Sequence, residues 1–207
     1  KPASARPAHV SEAIDLVTLL REQLNQHHAV RVGDGRPPAA WMEGWDPGPH
    51  LRSSSRAASR IELGCGSPQG YEPLRSVIAG RLIERSIHVT ADQVLLTFGA
   101  NHALDLIVRH YVEPGDAVFV DSPGYYPLFG KLKLARVEIV GVKRLADGRD
   151  LDDLSRQIAL HAPKAFFTQS AAHNPTGGSI ALPVAHRLLQ IAAKHDLIVV
   201  EDDVFAD

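Results

Sequence analysis

The chain has 207 residues, 44% of them hydrophobic and 22% charged, which suits one sizeable packed α/β core, with or without an appendage, and excludes disordered and fibrous classes. A formal net charge of -2 offers no broad basic field, so the chain by itself is poorly suited to grip nucleic acid, and small molecules are the expected ligands. The single cysteine, Cys65, cannot form an internal disulfide, and no apolar stretch approaches the roughly 20 residues that cross a bilayer; the cytoplasm is the expected compartment.

The first residues, KPASARPAHV, have neither an initiator Met nor the apolar core of a signal peptide and read as linker. In SEAIDLVTLLREQL, Ile14, Leu16, Val17, Leu20 and Leu24 fall mainly on one stripe behind Ser11 as N-cap, which predicts a short helix. Residues 31–60 hold four glycines, four prolines and both tryptophans, Trp41 and Trp45, and predict an irregular arm whose rings need a surface to cover them. Residues 1–60 are thus expected to be linker, short helix and arm, and 61–207 the main domain.

From residue 71 the pattern becomes regular. Pro73 suits a first helical turn, and Leu74, Val77, Ile78 and Leu82 are spaced for one apolar face. Five short apolar runs follow, VLLTFG (94–99), AVFVD (117–121), VEIVGV (137–142), KAFFTQS (164–170) and LIVVEDD (197–203), with helix-like stretches between most of them. That alternation predicts an α/β fold, a mainly parallel sheet flanked by helices, with ligands collecting at the carboxyl ends of the strands.

The strand ends carry the chemistry. Gly99 permits a tight turn, and the amides of Ala100, Asn101 and His102 open a helix whose dipole favours an anion such as phosphate; a glycine there for backbone geometry alone is the bland alternative. Tyr125 and Tyr126 follow the second run, where one ring can stack on a planar ligand or both can wall the core. Asn174 arrives at the same edge with Pro175 stiffening the turn, and Gly177 and Gly178 allow close backbone approach; an Asn-Pro loop without a ligand is the competing reading. Glu201, Asp202 and Asp203 directly after buried valines are costly without a cationic partner. A metal, a protonated aromatic nitrogen, or plain solvation of one or two of them would each relieve that cost.

Taken in order, TFGANHALDL, DSPGYYP, HNPTG and EDDVFAD resemble the large domain of fold-type I aminotransferases over roughly residues 62–207. The resemblance implies pyridoxal 5'-phosphate as cofactor. It assigns the phosphate to Gly99, Ala100 and Asn101, the ring face to Tyr125, the phenolic oxygen to Asn174 and the ring nitrogen to Asp202. An aspartate that keeps the ring protonated makes it an electron sink. GSPQGYEPLR, ALDLI and HNPTGGSIALPVAHRLLQIAAKHDLIVVEDD are similar to the aminotransferase-like domain of MocR regulators of the GntR class, which join a winged-helix DNA reader to this fold. The implied function is an effector domain that senses an amine or amino acid, in a homodimer that reaches DNA only through a winged-helix domain preceding Lys1. A free-standing aminotransferase is the second reading.

The chain departs from the family pattern in three places. The family's Schiff-base lysine lies past the aspartate strand, and the six lysines present, Lys1, Lys131, Lys133, Lys143, Lys164 and Lys194, all read as solvated surface, so no catalytic residue is expected here. Phe205 stands at a cofactor-binding position where many relatives carry tyrosine, and Cys65 where relatives often carry a tyrosine reaching a partner's phosphate. The resemblance also implies two further strands between the first and fifth runs, hence a natural protein longer than this chain. A dinucleotide site on GCGSPQG is rejected, because Gly64, Gly66 and Gly70 miss the G-x-G-x-x-G spacing and Pro68 interrupts the turn. His195, Glu201 and Asp202 lack close metal-ligand spacing, and no metal is expected.

Overall fold

A computed structural model describes residues 7–25, 39–44, 46–57 and 66–205. The chain divides into two compact units, one of residues 1–26 with 98–207 and one of residues 27–97.

The larger unit is α/β. Its helices are α1 (Ala8–Asn25), α4 (Ala100–Tyr111), α5 (Tyr126–Leu134), α6 (Leu151–His161) and α7 (Leu182–Lys194). Its strands are β1 (Ala117–Ser122), β2 (Glu138–Leu145), β3 (Gly148–Arg149), β4 (Ala165–Thr168) and β5 (Ile198–Glu201). The sheet order is β3-β2-β1-β4-β5, parallel throughout except for the β2–β3 hairpin. Alternation along the strands sorts the core onto two faces. Val118, Val120, Ala165, Phe167 and Val200 meet Leu104, Val108, Leu128 and Leu132 of α4 and α5. Phe119, Val140, Val142 and Phe166 meet Leu154, Ile158, Leu188 and Ala192 of α6 and α7. Phe119 and Phe166 are fully buried and pack edge to face at 6.4 Å, each burial contributing about 1.5–3 kcal/mol.

The order has a functional consequence. After β1 the chain builds outward through β2 and β3, then crosses back to lay β4 on the other side of β1. Right-handed crossovers in opposite directions put their helices on opposite faces, and a crevice opens between the carboxyl ends of β1 and β4. Ser122, Thr168 and Glu201 end their strands at that edge.

Local chemistry adjusts several expectations. Helix α1 begins at Ala8, with Val10 and Ser11 N–H groups bonded to the Pro7 carbonyl, so Ser11 lies inside the first turn instead of capping it. Among its described side chains Ala13 is buried, and Ala13 and Leu16 lie beside Gly130 of α5. A Glu12–Lys133 ion pair also joins the two helices.

In the smaller unit the expected irregular arm is partly helical, with a 3-10 turn at Ala39–Met42 and α2 at Gly48–Ala57. Its punctuating residues start the helix. Asp46 Oδ1 accepts the Gly48 N–H at 2.8 Å, and the Leu51 N–H bonds to the Pro47 carbonyl at 2.9 Å, so proline lies where an N–H is dispensable. Trp41 is 78% exposed, while Trp45 and Cys65 fall outside the described residues.

Helix α3 (Glu72–Glu84) forms with Pro73 in its first turn, as expected, but Leu74 and Val77 of the expected apolar face are 47% and 57% exposed. Buried instead is Arg75, which donates to Gln69 Oε1 (3.2 Å) and the Ala91 carbonyl (2.7 Å). The run at 94–99 is no strand: among the described residues nothing ladders with it, and the Leu96 N–H bonds to the Gln69 carbonyl at 2.9 Å. An apolar run becomes a strand only when a neighbour satisfies its backbone groups.

Candidate functional site

Three loops meet outside β1, β4 and β5. A concavity there is lined by Asp121, Tyr125, Thr168, Gln169 and Asp202 on a floor of Leu104, Val120, Phe167 and Val200. Polar groups over an apolar base are the usual composition of a small-molecule site.

Gly99 is the N-cap of α4, with φ +83° and open space where a Cβ would project. Without a side chain it offers no cap, so the Ala100 and Asn101 amides, which have no intrahelical acceptor, face outward at the positive end of a 12-residue helix. Asn101 Nδ2 donates to Tyr125 Oη at 3.3 Å. Tyr125 is the N-cap of α5, half-buried, and its phenol pKa is raised above the ordinary 10.0. Burial is the main cause and the Asp202 charge adds to it, while the Asn101 bond acts in the opposite direction.

Asp202 follows β5 and is half-buried. Its backbone N–H donates to the Thr168 carbonyl (2.9 Å), and its Oδ2 accepts from Gln169 Nε2 (2.9 Å). The other end of the Gln169 amide, Oε1, accepts the Asn174 N–H at 2.9 Å. Of the three adjacent acids, Glu201 is exposed and accepts from Ser170 Oγ, and Asp203 is half-buried. Asn174 is exposed, its peptide bond to Pro175 is cis, and its loop is closed by His173 N–H to the Gly178 carbonyl (3.0 Å).

Thus Asn101 bonds directly to Tyr125, Tyr125 and Asp202 share the concavity, and Gln169 links Asp202 to Asn174. Phe205 stands apart: it is 54% exposed in the turn after Asp203 and does not line the concavity. Among the described residues no three His, Cys, Asp or Glu side chains are grouped to hold a metal. Lys133 pairs with Glu12, away from this edge.

Sequence reasoning overlooked the support beneath the site. Asp121, 4% exposed, accepts from Arg149 Nε (2.8 Å) and Nη2 (2.8 Å), Arg144 Nη1 (3.2 Å), Thr168 Oγ1 (2.9 Å) and the Gln169 N–H (3.2 Å). The β2–β3 hairpin pairs Arg144 directly with Arg149, so both side chains leave the sheet on one side, and the carboxylate between them offsets their repulsion. Both guanidinium pKa values are lowered, chiefly by burial. Buried His173, whose Nε2 is 3.6 Å from Asp121 Oδ2, has its pKa lowered by burial first and by Arg144 second. The signal was present: Asp121 ends an apolar run, and the desolvation reasoning applied to residues 201–203 applies to it equally.

A family model, "Aminotransferase class I and II", matches residues 30–207. The chain is 31% identical over 182 residues to 2-aminoadipate transaminase of Thermus thermophilus, covering 83% of this chain and 45% of that protein. It is 27% identical over 158 residues to the uncharacterized HTH-type transcriptional regulator YdcR of Escherichia coli K12, covering 76% of this chain and 34% of that one. The crystal structure of LysN, the α-aminoadipate aminotransferase of Thermus thermophilus complexed with N-(5'-phosphopyridoxyl)-L-leucine, superposes with a TM-score of 0.66 at 30% identity, over 74% of this chain and 39% of that one. The chain therefore spans less than half the length of these relatives. With its mainly parallel sheet flanked by helices and a match across most of its length, the chain belongs to the class I and II aminotransferases, a pyridoxal-phosphate-dependent family.

Proposed function

We propose that this chain is the pyridoxal-phosphate-binding part of an aminotransferase-like effector domain in a GntR/MocR-type regulator, and that it senses an amine or amino acid. The observation that carries the reading is Asp202: a half-buried carboxylate held by Gln169 in a concavity walled by Tyr125. A carboxylate so fixed suits a cationic ring nitrogen, a half-buried phenol suits the face of an aromatic ring, and outward amides at a helix N-terminus suit a phosphate. When bound, pyridoxal phosphate supplies a carbonyl that condenses with amines and a ring that withdraws electrons.

In this reading Asp202 keeps a proton at the ring nitrogen, the Ala100 and Asn101 amides with the Gly99 turn hold the phosphate, and the Asn174 side chain donates to the phenolic oxygen. Phe205 contributes an apolar edge without a hydroxyl. Residues 61–207 are the binding domain within a cytoplasmic homodimer that reaches DNA through a winged-helix segment; the similarity to YdcR supports this assignment. A second reading, an aminotransferase that moves an amino group between an amino acid and a 2-oxo acid, is favoured by the 31% identity to 2-aminoadipate transaminase.

The test uses the full-length protein. Pyridoxal phosphate should bind with a shifted absorbance band, and addition of an amine or amino acid should change that band and the affinity for operator DNA together. Absence of any spectral change on adding the cofactor overturns the cofactor reading. Sustained turnover of amino acid and 2-oxo acid, with no effect on DNA affinity, replaces the regulator with the enzyme.

A further inference from the structure

We infer that Gln169 is the positioning residue of this site: one side-chain amide, fixed by a buried ionic cluster, holds Asp202 and Asn174 at a set separation. Resting on the pyridoxal-phosphate reading, the inference adds a residue that contacts neither ring nor phosphate in its role.

Gln169 is 6% exposed and immobilised along its backbone. Its N–H donates to Asp121 Oδ2 (3.2 Å), and its carbonyl accepts from Arg144 Nη1 (2.9 Å) and Arg149 Nη2 (3.0 Å). Asp121 and the two arginines are themselves buried and cross-bonded, so the main chain at 169 has little freedom. From this anchor Nε2 donates to Asp202 Oδ2 and Oε1 accepts from the Asn174 N–H, both at 2.9 Å. An amide has a donor and an acceptor at fixed spacing, and its two ends are not interchangeable here: a carboxylate needs the donor and an N–H needs the acceptor. Loops after β4 and β5 are thereby joined through a single planar group. The same bond takes up one Asp202 lone pair and directs the other oxygen, which is how a carboxylate is aimed at a cation.

The experiment measures dissociation constants of the full-length protein for pyridoxal phosphate and for its carba analogue, in which C–H replaces the ring nitrogen. Wild type is compared with Gln169→Met, which has similar length and no polar ends, and with Gln169→Asn, which stays polar but is too short to span both partners. The expected result is a loss of pyridoxal phosphate affinity on the order of tenfold greater than the loss of carba-analogue affinity in both variants. Equal losses for the two ligands would assign Gln169 a merely structural role and overturn the inference; so would no loss for either. The Asn variant decides the matter if the Met variant does not fold. Wild-type protein that binds neither ligand overturns the functional reading itself, a result distinct from wild-type binding that the variants leave unchanged.

Discussion

Asp121 meets Arg149 side on, with Nε to Oδ1 and Nη2 to Oδ2 both at 2.8 Å, and neither side chain reaches solvent appreciably. Such a pair contributes little net stability compared with an apolar substitute, because desolvation offsets the attraction. Removing one member is another matter. Asp121→Asn leaves two buried guanidinium groups facing a neutral amide and should destabilise the chain by about 3–5 kcal/mol. Urea denaturation followed by circular dichroism measures this, and a loss below about 1 kcal/mol would contradict the assignment of Asp121 as the centre of the cluster.

His173 should make stability fall on the acid side. Its folded pKa lies below the ordinary 6.5, so as pH drops below 6.5 the unfolded chain takes up a proton that the folded chain still refuses. The unfolded state then binds more protons, and stability decreases towards lower pH until the folded pKa is passed. One such group contributes at most about 1.4 kcal/mol per pH unit. His173→Gln should lower stability at about pH 8 yet remove this component of the slope below about pH 6.5; an unchanged slope would contradict it.

Tyr125 reports on its neighbours. Asp202 raises its phenol pKa and the Asn101 bond lowers it. Asp202→Asn should therefore move the phenolate absorbance transition to lower pH, and Asn101→Ala to higher pH. Each is read as a difference against the same protein carrying Tyr125→Phe. Shifts in the opposite directions would mean that the three side chains do not share one pocket.

Gly70 is held at φ +97°, and a Cβ there would lie 2.6 Å from the Leu96 side chain. Gly70→Ala combines backbone strain with a clash and should cost upward of about 1 kcal/mol, whereas Gly80→Ala, in α3 with open space, should be neutral or stabilising. Thermal melting of the two variants side by side tests the contrast.

How far the sequence was legible follows the range of each interaction. Four of the five apolar runs are strands because alternation and punctuation are local signals. The fifth, at 94–99, fails because pairing depends on a partner elsewhere. In α3 the spacing identified a helix, but which side is buried depends on its cover: Arg75 found carbonyl acceptors while Val77 remained exposed. That Gly99 opens a helix, and that Tyr125, Asn174 and Asp202 follow β1, β4 and β5, could be read from local motifs. Asp121's arginine partners lie 23 and 28 positions away, and β3 has only two residues, too few to show a period. Gln169 falls within the apolar run 164–170, and nothing local reveals that its two ends face different loops.

The Gln169 peptide N–H, just past β4, points at a nearly inaccessible carboxylate. Its deuterium uptake should accordingly be governed by whole-molecule opening and not by loop breathing, although it adjoins the mouth of a ligand crevice. Denaturant that loosens the core would then erode ligand affinity in step with overall unfolding, so this protein should show no window in which it is folded but has lost its grip.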